Sequence, residues 1–328
     1  MRLKYISALL LLSVGVLAGC SHDRYIVCDG AMIGTTFHVC AEVEGLSSSE
    51  LYNAMMRIET EARASMSIFD EGSLLNRINR SETDSLDCHL LRNLQIARGI
   101  GEGIDARYDI TVKPLTEALG FAAGEAADHP NIDSLLMFVG YDKWRIEEGR
   151  VVKADPRVQF DLNSVAKGYT VDMAAEMLES LGAKNYLVEI GGEVRCRGVN
   201  REGRLWTIGI DTPYDGNYMP GVDMCGKVQL QDRALATSGN YRRFHIDENG
   251  HKIVHTIDPR TGEGVSSRLL SATVVAANCA EADALATMFM VAGADDAMAL
   301  AERMRDSIAV LFILDGEDEY EIFSTIEE

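Results

Sequence analysis

The sequence predicts an α+β fold with largely antiparallel sheet and packed helices, on two observations. Apolar residues recur at spacings of three and four in the first half of the chain, whereas the second half reads as a helix followed by short apolar and β-branched runs bounded by turn residues. With 47% hydrophobic residues in a chain of 328, there is enough apolar surface to bury a sizeable core.

The chain opens with Arg2 and Lys4, then an apolar run from Tyr5 through Leu17, then Leu17-Ala18-Gly19-Cys20. That order is the form of a bacterial lipoprotein signal. Residues 1–19 are therefore expected to be a signal peptide, Cys20 the lipidated first residue, and residues 20–328 the folded domain. The apolar run is shorter than the roughly 20 residues a membrane-spanning helix needs.

From Ser47 to about Ser65, the residues Leu51, Met55, Ile58 and Ala62 share one face of an amphipathic helix, with Ser47, Ser48 and Ser49 available as caps. A second helix is expected around Leu90 to Ile100, a surface connection from Gly120 to Asn131, and a short helix over Asp133 to Val139. A helix from Val165 to Leu181 leads into a buried strand, Tyr186 to Ile190, and then Gly191-Gly192. Further strands are expected over Leu205 to Ile210, Lys227 to Leu230, Arg243 to Ile246, Leu269 to Val275 and Ala309 to Leu314, with helices near Glu281 to Val291 and Asp295 to Met304. No repeat or low-complexity tract interrupts this series.

The 51 acidic residues outweigh 31 basic ones for a formal charge of −20, which disfavours nucleic acid and anionic lipid surfaces as general partners. An anionic ligand would need local positive charge. Cys28, Cys40, Cys88, Cys196, Cys225 and Cys279 follow Cys20 without a C-x-x-C pair, so no zinc or redox motif is expected. Export would permit disulfides, and the sequence leaves their pairing open.

Several segments could carry chemistry, and each alone also has an ordinary structural reading. In Phe160-Asp161-Leu162-Asn163-Ser164-Val165-Ala166-Lys167-Gly168-Tyr169 a strand end turns into a helix, placing an acid and a lysine near free N–H groups that suit a phosphate. Simple capping by Asn163 or Ser164 explains the same residues. Asp283 and Thr287 stand four apart on one helix face and offer two hard oxygens, enough for a magnesium ion completed by water and substrate phosphates, or else a dipole partner and a core residue. His255, at a strand end before Ile257-Asp258-Pro259-Arg260-Thr261-Gly262, could take a proton near neutral pH, though isolated histidines are often structural; His245 and His251 have no comparable setting. Thr237-Ser238-Gly239-Asn240-Tyr241 and Ile33-Gly34-Thr35-Thr36 read as strand ends with a Gly that lets backbone approach a ligand, or equally as structural turns, and Arg107 to Leu115 as a net positive cluster around an aromatic ring.

In this order, the segments resemble the motifs of the FAD:protein FMN transferases, the ApbE family. The resemblance runs from Met32-Ile33-Gly34-Thr35 through Tyr108-Asp109-Ile110-Thr111-Val112-Lys113-Pro114-Leu115, Asp161 to Gly168, Gly191-Gly192, Thr237 to Tyr241 and His255 to Gly262, to Asp283-Ala284-Leu285-Ala286-Thr287. It implies an ApbE-like, T-fold-related architecture and a magnesium-dependent transfer of FMN from FAD to a threonine of another protein, with release of AMP. It also implies FAD contacts at Ile33, Phe69, Arg107, Tyr108, Asp109, Asp161, Lys167 and Ile257, and Mg2+ ligands at Asp283, Thr287 and the Ser164 carbonyl. His255 is the candidate base, with Asp283 able to share that role. Asn163 and Ser164 stand where glycine is frequent in the family, and Ile33 where methionine is common. The same motifs would serve a FAD pyrophosphatase releasing free FMN and AMP, whereas a non-catalytic flavin-binding lipoprotein would be expected to lack the metal ligands. Expected partners are threonine-bearing subunits of Rnf-type or sodium-pumping NADH:quinone oxidoreductase complexes. The expected location is a periplasm-facing membrane surface, with inner and outer membrane left open.

Overall fold

The structure, a computed structural model, describes residues 25–103, 107–121, 127, 130–215, 217, 221–241, 244–246, 252–317 and 319–326. Cys20 and the signal segment lie outside the described residues, as do most of the connection expected after Gly120, Arg243, His251 and the side chain of His245.

The first described residues form a hairpin, β1 (Tyr25–Met32) and β2 (Thr35–Glu42), closed by Ile33 and Gly34 alone. Both turn residues have positive φ, 42° and 78°, which is the two-residue turn whose twist matches its flanking strands. Glycine takes that conformation freely, but a β-branched isoleucine is strained in it.

Helix α1 (Ser48–Met66) follows, started by a capping box in which Ser47 and Glu50 satisfy each other's backbone N–H. Leu51, Met55, Ile58 and Ala62 are its buried face, as their spacing predicts. Then come α2 (Leu74–Asn79), α3 (Cys88–Gly103), α4 (Lys113–Ala118), α5 (Ile132–Leu136) and a small hairpin of β3 (Trp144–Glu147) and β4 (Arg150–Lys153). Helix α6 (Ala166–Ser180) leads to β5 (Tyr186–Ile190) and β6 (Glu193–Arg197). The remaining elements are β7 (Trp206–Asp211), β8 (Met224–Leu230), β9 (Ala234–Gly239), β10 (Phe244–Ile246), β11 (Lys252–Val254), β12 (Leu269–Ala276), α7 (Cys279–Ala292), α8 (Ala294–Met304), β13 (Ala309–Leu314) and β14 (Glu321–Ser324).

Eight strands form one sheet in the order β1-β2-β5-β6-β9-β12-β13-β14, and every neighbouring pair is antiparallel. The expected α+β class with antiparallel sheet is what the chain adopts. Helices α1, α6 and α7 share with the sheet a large core that includes Phe37, Val39, Met55, Tyr186, Val188, Phe289 and Phe312. The opposite side is covered in part by the β7–β8 hairpin, through Trp206, Ile210, Val228 and Leu230. No helix among the described residues is long and apolar enough to cross a membrane. All six cysteines after Cys20 are free thiols, so the fold stands on packing.

Helix α7 lies against β9, β12 and α6 and is buried on nearly every face, from Cys279 to Val291. A helix apolar all round belongs to an interior. An ionisable side chain on it is costly unless partnered, and α7 carries Asp283, which is 4% exposed.

Candidate active site

Helices α6 and α7 run side by side so that the start of each meets the first turns of the other. At the start of α6 the N-cap residue is Val165, which has no side-chain oxygen to offer. The Gly168 N–H instead donates to Asp283 Oδ2 of α7 at 3.0 Å. At the start of α7 the Cys279 and Ala280 N–H groups donate to Asp172 of α6, at 3.0 and 2.9 Å. Each helix supplies the other with a capping carboxylate, and the favourable field of a helix N-terminus steadies both acids.

Around this crossing lies a cavity of about 250 Å³. Its walls include Arg107, Tyr108, Asp109, Asp161, Ser164, Lys167, His255, Ile257, Asp283 and Thr287. Segments separated by most of the chain thus converge as their order suggested. Ile33 and Phe69 line a neighbouring cavity of about 670 Å³, and Asn163 and Lys167 belong to both. Every sequence-predicted ligand residue among the described ones lines one of these two adjoining spaces. Phe69 is 61% exposed at the outer rim.

Lys167 sits where the two spaces meet. Its ammonium contacts Glu193 Oε1 at 2.6 Å. Burial alone would lower its pKa, but the carboxylates of Glu193 and Asp283 outweigh that and hold it above the ordinary lysine value, so it is a cation. Burial raises the Glu193 carboxyl above the ordinary glutamate value, against the pull of Lys167, and its Oε2 is buried without a hydrogen-bond partner. Burial likewise raises Asp283, opposed by Lys167 and the Gly168 N–H.

Two local expectations need correction. The free-amide cradle expected at the start of α6 is largely engaged, because Ala166 N–H donates to the Leu162 carbonyl and Gly168 N–H to Asp283. Lys167, rather than an open helix end, is the positive element facing both spaces. The stretch after Arg107 is also not a net positive cluster. Arg107 is paired with Asp296 at 2.6 Å, and the buried Lys113 is paired with Glu117. Those charges are neutralised in place, and Tyr108 is buried with its hydroxyl 3.0 Å from Ser164 Oγ.

The other site residues are held by local hydrogen bonds. Asp161 Oδ1 accepts from the Asn163 N–H at 2.9 Å and Oδ2 from Thr116 Oγ1 at 3.2 Å, shaping the turn before α6. Thr287 Oγ1 lies 3.1 Å from Ser238 Oγ, and Thr256 Oγ1 donates to Asn240 Oδ1 at 2.7 Å beside His255. The imidazole of His255 meets Phe121 edge to face at 6.3 Å. Glu193 and Asp172 were not singled out by their sequence setting. The available signal for Asp172 was a lone charge inside the run Tyr169 to Ala175, whereas Glu193 stands in a strand with two arginines and carried no such signal.

The donor set fits a hard divalent cation. Asp283 contributes a carboxylate and Thr287 a hydroxyl, and nothing among the described residues donates to the Ser164 carbonyl. No cluster of three or more His, Cys, Asp or Glu side chains that could hold a metal occurs among the described residues. A few oxygens facing a ligand cavity match the way magnesium is held with the help of substrate phosphates.

Asp109 gives the site a pH signature. Its Oδ1 accepts from Thr111 N at 2.8 Å and Thr111 Oγ1 at 2.6 Å, yet burial pushes its carboxyl up to about 6. The folded state therefore binds this proton more tightly than the unfolded chain. Its stabilising contribution is complete below the unfolded value of about 4 and is lost as pH rises through the folded one. Asp109→Asn retains an oxygen for Thr111, so the variant's Tm should gain on the parent's as pH is raised from about 4 to 7. A Tm difference that stays constant with pH would place the titration elsewhere.

A family model described as the ApbE family matches residues 33–312 of the chain. The chain is 32% identical to the FAD:protein FMN transferase of Vibrio cholerae, over 96% of this chain and 95% of that one. Among solved structures it is similar to the flavin transferase ApbE from Vibrio cholerae, with 32% identity, a TM-score of 0.77 and coverage of 92% of this chain and 96% of the other. It is also similar to the apo form of the Pseudomonas stutzeri flavinyl transferase ApbE, at 27% identity and a TM-score of 0.81, covering 92% of this chain and 95% of that one.

Proposed function

The chain belongs to the ApbE family, and on that premise we propose that it is an FAD:protein FMN transferase, which moves FMN from FAD onto a threonine hydroxyl of a partner protein and releases AMP. The observation that carries this reading is the convergence of Lys167, His255, Asp283 and Thr287 on one cavity, which shares Asn163 and Lys167 with the adjoining space lined by Ile33 and Phe69.

In this reading FAD spans both spaces, with its diphosphate near Lys167. The threonine oxygen attacks the phosphorus on the FMN side, a P–O bond to threonine forms, and the P–O bond to AMP breaks. His255 accepts the threonine proton, a role its place beside Thr256 on the cavity wall supports. Lys167 offsets diphosphate charge and is itself held in place by Glu193. Asp283, Thr287 and the Ser164 carbonyl would hold magnesium, which when bound neutralises charge on the diphosphate and on the departing AMP. Ile33, Phe69, Ile257 and Tyr108 supply apolar contact, and Arg107, Asp109 and Asp161 shape the remaining wall.

We place the enzyme on a periplasm-facing membrane surface through lipid on Cys20, where two-dimensional confinement raises its effective concentration near membrane-bound acceptors. The acceptors proposed are flavin-bearing subunits of Rnf-type or sodium-pumping NADH:quinone oxidoreductase complexes.

The test is intact-mass analysis of an acceptor domain incubated with the chain lacking residues 1–20, FAD and Mg2+. An FMN adduct that fails to form in chelator is the expected result. Free FMN and AMP without an adduct on two different acceptors would make the enzyme a FAD pyrophosphatase. No turnover at all would leave a flavin-binding lipoprotein.

A further inference from the structure

Asp172 lies on α6, one turn beyond Gly168, and its side chain is 3% exposed. Both of its oxygens are used on α7: Oδ1 accepts from the Cys279 N–H and Oδ2 from the Ala280 N–H. Arg195 of β6 donates to Oδ1 at 2.8 Å and so neutralises the buried charge. These bonds fix the first turn of α7 against α6 and the sheet. One turn further along α7 comes Asp283, and a turn beyond that Thr287. The side chain that fixes where α7 begins therefore fixes where its two cavity-facing oxygens lie. Asn278 caps only the Glu281 N–H, so it does not duplicate the function.

We propose that Asp172, backed by Arg195, is a positioning residue for the cation site: it sets the placement of Asp283 and Thr287 without touching the ion or the substrate. The proposal rests on the reading of Asp283 and Thr287 as magnesium ligands. Conserving the carboxylate's shape while removing its charge separates this role from simple packing. Asp172→Asn has one acceptor oxygen in place of two, so one α7 amide is released and the salt bridge to Arg195 is lost.

The measurement is the Mg2+ concentration that half-saturates the protein–FAD complex in isothermal titration calorimetry, with Tm recorded at each Mg2+ concentration and FAD affinity measured in chelator. Asp172→Asn should need about tenfold more Mg2+, the usual size of effect when the partner that orients a metal ligand is lost. Its FAD affinity in chelator should be unchanged. If the variant is less stable by the same amount at every Mg2+ concentration, with the midpoint unmoved, Asp172 is structural and the proposal is overturned. Should Asp172→Asn not fold, Arg195→Met retains both amide bonds and removes the counter-charge, together with the 3.4 Å contact of Arg195 to Glu179 Oε1. It should move the midpoint in the same direction by a smaller factor, and an unmoved midpoint again overturns the proposal. Absence of Mg2+ binding to the parent protein–FAD complex would defeat the magnesium reading itself, and the positioning role with it.

Discussion

Asp283→Ala should lose at least ~10²–10³-fold of its FMN-transfer rate, the scale seen when one preorganised group that stabilises developing charge is removed. Two local effects on stability oppose each other. The variant relieves a carboxylate whose pKa is raised by burial inside an apolar helix, which is favourable. It also leaves the buried Gly168 N–H without its acceptor, at a cost of about 1–3 kcal/mol. The net change is small enough for the fold to survive, and far-UV circular dichroism with a thermal melt will show it. Asp283→Asn sharpens the test, since an amide oxygen can still accept from Gly168 while the negative charge is gone. Both variants should be equally inactive, and Asp283→Asn should melt higher than Asp283→Ala. Turnover at the parent rate in either would remove Asp283 from the metal site.

Much of the fold was legible because it follows from periodicity. The face of α1 made by Leu51, Met55, Ile58 and Ala62 is buried as spaced, and Tyr186 to Ile190 and Ala309 to Leu314 are strands with those same bounds. What escaped are elements whose local sequence argues against them. Strand β6 reads Glu-Val-Arg-Cys-Arg, and three charges in five residues suggest a surface loop. Its Glu193 is tolerated inside because Lys167 reaches it from α6, and Arg195 because Asp172 does. Neither partner is near in sequence, so no local pattern could announce the strand. At the β1–β2 hairpin the strand end or turn at Ile33-Gly34 was legible but the two strands were not placed, because the turn carries isoleucine at a positive-φ position, where turn chemistry leads one to expect asparagine, aspartate or glycine.

The site was legible as a set of residues rather than as a geometry. Ile33, Tyr108, Asp161, Lys167, His255, Asp283 and Thr287 line adjoining spaces as the family motifs imply. Which charges are available inside those spaces could not be read along the chain. Arg107 looks like a free cation in sequence and is paired through the fold with the exposed Asp296, whereas Lys167 looks like a solvent-facing helix residue and is a cavity-lining cation paired with the buried Glu193. The reciprocal capping of α6 and α7 depends on two carboxylates, Asp172 and Asp283, each acting on the other's helix.

That crossing also makes Gly168 the residue whose smallest enlargement should be most damaging. A Cβ added there would lie 2.3 Å from the Cys279 carbonyl oxygen and 2.8 Å from Asp283 Cβ. The first obstacle is backbone at the anchored start of α7, which cannot swing aside as a side-chain tip would. Gly168→Ala must therefore separate the helices, with an overpacking cost of about 1–3 kcal/mol. For a domain of this size that is a Tm lower by about 2–4 °C for each kcal/mol. The separation moves Asp283 and Thr287 relative to Lys167, and a displacement near 1 Å is enough to cost about 10²-fold in rate. Helix propensity alone predicts the reverse, since alanine outranks glycine in a helix interior. Gly99→Ala in α3 isolates that intrinsic term, because a Cβ there meets nothing within 4 Å, and it should leave turnover intact and raise Tm slightly. If Gly168→Ala behaved like Gly99→Ala in both melting and turnover, the close contact between α6 and α7 would not be what fixes Asp283 and Thr287, the proposed cation ligands.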